Sequence, residues 1–170
     1  MADDAVFCWG MNHRGQIGDG TVNNTAHAIE VAPLRGLQRI GLGREHGCAL
    51  GQAAAAFCWG YNAWGQLGDG SNGQRHAPVP VRDLVSVQQI SASLRGTCAL
   101  HADGTVSCWG WGGYGELGDG GTRTRWSPAP VRDLRAITSI SSGRHHHCAL
   151  GEQGQVFCWG HNGFGQLGDG

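Results

Sequence analysis

Cys58-Trp59-Gly60 runs on through Tyr61, Asn62, Ala63 and Trp64 to Gly65-Gln66-Leu67-Gly68-Asp69-Gly70, and this stretch decides the fold because it occurs four times. Cys-Trp-Gly stands at 8–10, 58–60, 108–110 and 158–160. The glycine-rich tail follows at 15–20 (with Ile17), 65–70, 115–120 (with Glu116) and 165–170. The copies are 50 residues apart, and a second signature, Cys-Ala-Leu at 48–50, 98–100 and 148–150, keeps the same step. A fixed period of this size marks one supersecondary unit used repeatedly, so residues 1–170 read as a single repeat array. The array is punctuated by hairpin-and-tail segments at 8–20, 48–70, 98–120 and 148–170.

Within each copy the local signals are those of short strands. Residues 5–10, Ala-Val-Phe-Cys-Trp-Gly, are β-branched and aromatic and are stopped by glycine. Thr21 to His27 is polar and leads to Val31, Leu34, Leu37 and Ile40; Val81, Leu84, Val87, Ile90 and Val131, Leu134, Ile137, Ile140 are the matching copies. Spacing by three would suit a helix, but Pro78, Pro80, Pro128 and Pro130 break it at the front. Two brief strands joined by a bend at Arg82-Asp83 and Arg132-Asp133 fit better. Cys98-Ala99-Leu100 and Val106 to Trp109 flank a turn with Asp103-Gly104, a strong hairpin signal. The corresponding turn at Gln52 to Ala56 has no internal glycine.

Each unit therefore holds about four short strands and almost no helix. The expectation is an all-β chain of three to four four-stranded propeller blades, with a solenoid rung as the other architecture of this period. Glycine, 31 of 170 residues against about 7% in ordinary proteins, favours blades, because tight turns need positive φ. The tryptophans give each blade a large apolar plug to lay against its neighbour.

The cysteines lie at 8, 48, 58, 98, 108, 148 and 158. Cys48 and Cys58 are symmetric about a turn near residue 53, and Cys98 with Cys108 and Cys148 with Cys158 repeat the arrangement. Opposed residues on an antiparallel pair come within disulfide range. Three bridges are expected, with Cys8 left over. Reduced, buried apolar cysteines are the plain alternative; zinc at His46, Cys48 and Cys58 lacks any Cys-x-x-Cys spacing. Bridges point to an oxidising compartment, secreted or cell-surface. Met1-Ala2-Asp3-Asp4 is acidic and unlike the start of a signal peptide.

Charge and motifs narrow the chemistry. Charged residues are 15% of the chain and the net charge is −1, which gives no electrostatic reason to expect nucleic acid or an acidic membrane surface. No apolar run reaches the length of a membrane span. The recurring Gly-Asp-Gly lacks the alternating oxygen ligands of a calcium loop and reads as a capped turn. Of His145, His146 and His147, only the first and last share a strand face. No nucleophile elbow, phosphate loop or His-Glu-x-x-His is present. Neither a cofactor nor enzymatic activity is expected.

His46-Gly47-Cys48-Ala49-Leu50, His146-His147-Cys148-Ala149-Leu150 and the Trp-Gly-x-Asn to Gly-Gln-Leu-Gly runs at 59–68 and 159–168 resemble the regulator of chromosome condensation repeat family over nearly the whole chain. The third copy departs from the pattern with Gly96 in place of the histidine and Gly112 in place of the asparagine, which points to a looser blade. The resemblance implies a seven-bladed propeller, about twice this length, with His146 in a blade-packing role. The cysteine-containing version is closer to bacterial members. On this reading the chain is a piece of a longer propeller, or else a crescent or a ring of several chains, and its open blade edges invite self-association.

Positions that differ between copies are free to meet a partner. After Trp-Gly these are Met11, Tyr61, Trp111 and His161; three residues on they are Arg14, Trp64, Tyr114 and Phe164. They should cluster on one rim, where aromatics and arginine are common anchors for a protein partner; packing between blades is the other expectation for them. The leading functional reading is a non-catalytic protein-interaction module. The resemblance implies two alternatives: guanine-nucleotide exchange on a small GTPase, and inhibition of an enzyme such as a β-lactamase by a propeller covering its active site. A purely structural fragment is the last reading. The 50-residue step leaves no room for the projecting wedge that exchange depends on, and no basic tail for chromatin is present.

Overall fold

The structure is a computed structural model that describes residues 5–170. Thirteen strands fold into four antiparallel sheets. The first sheet pairs β1 (Ala5–Gly10) with β2 (Thr25–Arg35). The second runs β3 (Arg39–Leu42), β4 (His46–Leu50), β5 (Ala56–Gly60), β6 (Arg75–Pro80) in spatial order, and the third repeats it with β7 (Val87–Ala92), β8 (Gly96–His101), β9 (Val106–Gly110), β10 (Arg125–Pro130). The fourth holds β11 (Ile137–Ser142), β12 (His146–Gly151) and β13 (Val156–Gly160). These are propeller blades, the middle two complete. One 3-10 turn, Gln52–Ala54, is the helical element among the described residues; no helix there is long and apolar enough to cross a membrane.

The strands and bends fall where the residue pattern places them, with two differences. β2 begins inside the polar Thr21 to His27 stretch and runs for 11 residues. Each complete blade is also out of phase with the sequence period counted from Cys-Trp-Gly, since β3 and β4 precede Cys58-Trp59-Gly60 while β5 carries it and β6 follows it, and β7 to β10 stand the same way about Cys108-Trp109-Gly110. The bend at Arg82-Asp83 puts Asp83 at φ 52°, and Asp133 repeats it at φ 54°. The glycine-free turn of the second copy closes because Ala54 takes the left-handed conformation, φ 59°, that Gly104 and Gly154 take in the later copies.

Blades pack through a repeated lock. Trp59 and Trp109 are fully buried, and each indole N–H reaches back to the preceding tail: Trp59 Nε1 to Gln16 O at 2.9 Å, Trp109 Nε1 to Gln66 O at 2.9 Å, Trp159 Nε1 to Glu116 O at 2.8 Å. Glycine is required opposite the ring. A Cβ on Gly68, at φ +69°, would lie 2.6 Å from Trp109 Nε1. Burying an indole removes on the order of 150–250 Å² from water and contributes roughly 4–6 kcal/mol before entropy is charged against it. Trp9 differs from the expected plug: it is 65% exposed, because among the described residues no tail precedes its strand.

The inner strands add a second seam. Ile90 of β7 and Ile140 of β11 are buried against the blades before them, in clusters with Cys48, Leu50 and Ala99 and with Cys98, Leu100 and Ala149. Gln89 spans the seam: its Nε2 donates to Ile140 O at 2.8 Å and its Oε1 accepts from Ile140 N at 3.0 Å. The cysteines are opposite one another in register, Cys48 to Cys58, Cys98 to Cys108 and Cys148 to Cys158, each at a Cα separation of 4.1 Å and each disulfide-bonded. Cys8 is free.

The third copy is not loosened by its two glycines. Where residue 46 is histidine, residue 43 is glycine, and a Cβ there would meet His46 Cε1 at 2.5 Å. Where residue 96 is glycine, residue 93 is serine, and Ser93 Oγ both donates to Gly96 O and accepts from Gly96 N, each at 3.0 Å. Leu117 beside Gly112 remains fully buried. His146 is only half-buried; its counterpart His46 is covered by Thr97 of the following blade, and His146 has no such cover among the described residues.

Candidate functional site

The tails at one end of each hairpin are built alike. The backbone N–H of Tyr61 donates to Glu45 O (2.8 Å), that of Trp111 to Arg95 O (2.9 Å) and that of His161 to His145 O (2.8 Å), which fixes where each tail leaves its strand. Asn62 then holds the tail from inside: its Oδ1 accepts from Leu67 N at 3.0 Å and its Nδ2 donates to Asp69 Oδ1 at 3.3 Å. Asn12 and Asn162 do the same with Ile17, Asp19, Leu167 and Asp169. The aspartate of Gly-Asp-Gly is thus a turn cap. Partial burial alone would raise the Asp69 pKa, but hydrogen bonds from Ser71 and Arg75 outweigh it and hold the carboxyl below its ordinary range.

The residue at 16, 66, 116 and 166 aims the rim. Gln16 Oε1 accepts from Arg14 N (2.8 Å), Gln66 Oε1 from Trp64 N (3.0 Å), Glu116 Oε2 from Tyr114 N (2.7 Å) and Gln166 Oε1 from Phe164 N (2.8 Å). With its backbone tied inward, the side chain at 14, 64, 114 or 164 projects along the rim. Phe164 is 92% exposed, and Tyr114 and Met11 are exposed. Tyr61, Trp64, Trp111, His161 and Arg14 are half-buried.

Seven of the eight rim residues touch along the rim. Arg14 Cζ lies 4.9 Å over the Tyr61 ring. Trp64 and Trp111 are 6.2 Å apart, Trp111 meets Tyr114 edge-on at 4.8 Å, Tyr114 meets His161 at 4.5 Å, and His161 meets Phe164 at 6.0 Å. Met11 stands apart, beside Trp9 at the wall of a different hollow.

Residues the motif reading left out complete the surface. Arg95 lies over both Trp64 (5.2 Å) and Trp111 (5.3 Å), a cation shared between two indoles. His145 stands 6.0 Å from Trp111 and 3.8 Å from Glu116 Oε1, and His13 Nε2 is 3.4 Å from Glu45 Oε1. Burial raises the Glu116 pKa above its ordinary value despite the hydrogen bond from Tyr114 N. Burial also lowers His145, helped by the positive charge of Arg144 and Arg95. Their signal was present in the sequence: residue 45, 95 or 145 is Glu, Arg or His in turn, as variable as the positions that were chosen.

Among the described residues no three metal-ligating side chains gather at one point. What the arrangement offers is a strip of aromatic faces with a half-buried guanidinium inside it.

The family model described as Regulator of chromosome condensation (RCC1) repeat matches residues 3–50, 55–100 and 103–150, and a second model of the repeat matches 87–116 and 137–166. No curated protein sequence matches the chain. Among solved structures it is similar to Prp20p from Saccharomyces cerevisiae, a structure titled for its binding to Gsp1p and histones (26% identity, 99% of this chain, 43% of that one, TM-score 0.83). It is also similar to human WBSCR16 (23% identity, 93% and 43%, TM-score 0.82) and to yeast RCC1 (Prp20) solved with Kap60 (22% identity, 94% and 40%, TM-score 0.79). The chain spans less than half the length of each of these structures. The matched repeats and the blades they fold into agree: this chain belongs to the regulator of chromosome condensation (RCC1) repeat family.

Proposed function

We propose that the chain is a non-catalytic protein-binding module whose partner lies along the rim of Arg14, Tyr61, Trp64, Trp111, Tyr114, His161 and Phe164, with Arg95 and His145 added. The observation that carries the reading is the continuous run of ring contacts from Trp64 to Phe164, backed by tails whose backbones are tied down. Aromatic side chains held in advance lose little entropy on docking, and arginine between indoles presents its edge to a partner's carboxylate or carbonyl. The protein partners named for the yeast structures, Gsp1p, histones and Kap60, support a protein rather than a small molecule as the ligand class. Met11 is kept as an outlying member of the surface.

The test is capture of partners by the wild-type chain and by a Trp64→Ala, Tyr114→Ala, Phe164→Ala variant, with circular dichroism confirming that both fold. Loss of a captured protein in the variant supports the rim; capture that is unchanged removes it. Nucleotide exchange is the second reading, favoured by the likeness to yeast RCC1. Faster nucleotide release from a small GTPase in the presence of the chain would put that reading first.

A further inference from the structure

We propose that the surface around Arg95 takes an acidic segment of a protein partner, one of its carboxylates meeting the guanidinium that rests on Trp64 and Trp111. This builds on the rim reading, and the variants chosen below let the two fail separately.

Arg95 stands in the middle of the array, with described blades on both sides. It sits in the turn between β7 and β8, and its carbonyl accepts from Trp111 N at 2.9 Å. Its Cζ lies 5.2 Å from the Trp64 ring and 5.3 Å from the Trp111 ring, and those two rings are 6.2 Å apart. The three groups form a triangle, so the guanidinium rests over the notch between two indoles. Ring faces attract the cation but take none of its in-plane N–H groups as ordinary acceptors would. Among the described residues those N–H groups make no hydrogen bond or ion pair. A planar fork of donors, already held in place and unused, matches a carboxylate in a bidentate geometry.

The charge of this end of the blades agrees. The turns before β4, β8 and β12 lie here, since Glu45 O, Arg95 O and His145 O receive the tail N–H groups, and they read Arg44-Glu45, Leu94-Arg95 and Arg144-His145. Arg44 and Arg144 line one hollow with Leu94. Against these arginines and Arg14 the same turns and tails set two carboxylates, and both are engaged: Glu45 by His13 (3.4 Å), Glu116 by Tyr114 N (2.7 Å) and His145 (3.8 Å). The hairpin turns at the opposite end carry Asp103 and Glu152 instead. Such an end favours a partner with carboxylates, which steers encounter and fixes register. Nucleic acid needs a longer run of cations than this on a chain of net charge −1. Glu116 offers an internal control. Its counterparts Gln16, Gln66 and Gln166 are neutral, and its carboxylate feels the charge of Arg95. Glu116→Gln therefore restores the residue of the other copies and removes a carboxylate that competes with the partner's.

The experiment pans a phage library of random dodecapeptides against the full chain and measures the selected peptides on Arg95→Gln, on Glu116→Gln and on the Trp64→Ala, Tyr114→Ala, Phe164→Ala variant, circular dichroism confirming that each folds. The peptides should be rich in Asp and Glu and should bind Arg95→Gln about tenfold more weakly. They should bind Glu116→Gln about two- to fivefold more tightly. Peptides that need the aromatic rim but are not acidic, that bind Arg95→Gln as tightly as the wild type, or that gain nothing from Glu116→Gln overturn this proposal and leave the rim standing. Peptides that bind every variant alike, or a library that yields none, remove both. An oligothymidylate that binds through Arg95 more tightly than any selected peptide also overturns the proposal, in favour of nucleic acid.

Discussion

The indole N–H of Trp109 and the hydroxyl of Thr97 both donate to the carbonyl oxygen of Gln66, each at 2.9 Å. Thr97 Oγ1 lies 3.0 Å from His46 Nε2. Since the hydroxyl proton is committed to Gln66, His46 must donate, which fixes its proton on Nε2. A tail carbonyl, a strand hydroxyl, a β4 histidine and the tryptophan plug thus form one buried network across the seam between two blades, and Gln66, whose side-chain Oε1 holds the rim loop through Trp64 N, receives the neighbouring blade on its backbone carbonyl.

Thr97→Val should leave the His46 N–H buried without an acceptor and lower stability by about 1–3 kcal/mol. Thr97→Ser, which keeps the hydroxyl, should recover most of the loss. Urea midpoints of the two variants check this; equal destabilisation would mean that the methyl group rather than the hydrogen bond matters.

Acid should weaken the fold in two stages. Burial lowers the His46 pKa to about 4, and burial with the nearby His146 charge lowers that of His147 to about 3. The unfolded chain takes up these protons near the ordinary histidine value, so stability falls as the pH drops below about 6.5 and this contribution levels off near the folded values. The loss is on the order of a few kcal/mol for each histidine. Asp19, Asp69 and Asp119, whose pKa values are lowered in the fold, add their loss at lower pH still. Urea midpoints at neutral pH and near pH 5 should differ clearly in the wild type and less in His147→Gln.

Without reductant, the denatured chain should show one titratable thiol, Cys8, and after reduction all seven cysteines. Replacing Cys98 and Cys108 together by serine should cost about 2–4 kcal/mol in chemical denaturation. More than one thiol before reduction would contradict the pairing.

Periodicity carried the architecture. The 50-residue step, the Cys-Trp-Gly strands and the ten-residue cysteine spacing gave blades, hairpins and bridges, because each is a local feature repeated in phase. What the sequence did not reveal depended on contacts between blades. Trp9 and Trp109 stand in the same motif but differ in burial, since burial is decided by the tail of another copy. His146 differs from His46 for the same reason. Gln89 bridges to Ile140 across 51 positions, a partnership no local pattern announces. At the rim, the Trp-Gly tails were found by their variation, while Arg95 and His145 were passed over because they precede a strand rather than follow one.

Blade-to-blade docking through the indoles is tested most directly by making one substitution in two copies of the same motif. Trp109→Phe removes the bond to Gln66 and leaves a gap in a closed seam; Trp9→Phe alters a ring that meets no tail among the described residues. In dilute solution, urea unfolding should show a loss of about 2–4 kcal/mol for Trp109→Phe and little change for Trp9→Phe. Equal losses at the two positions would contradict the account.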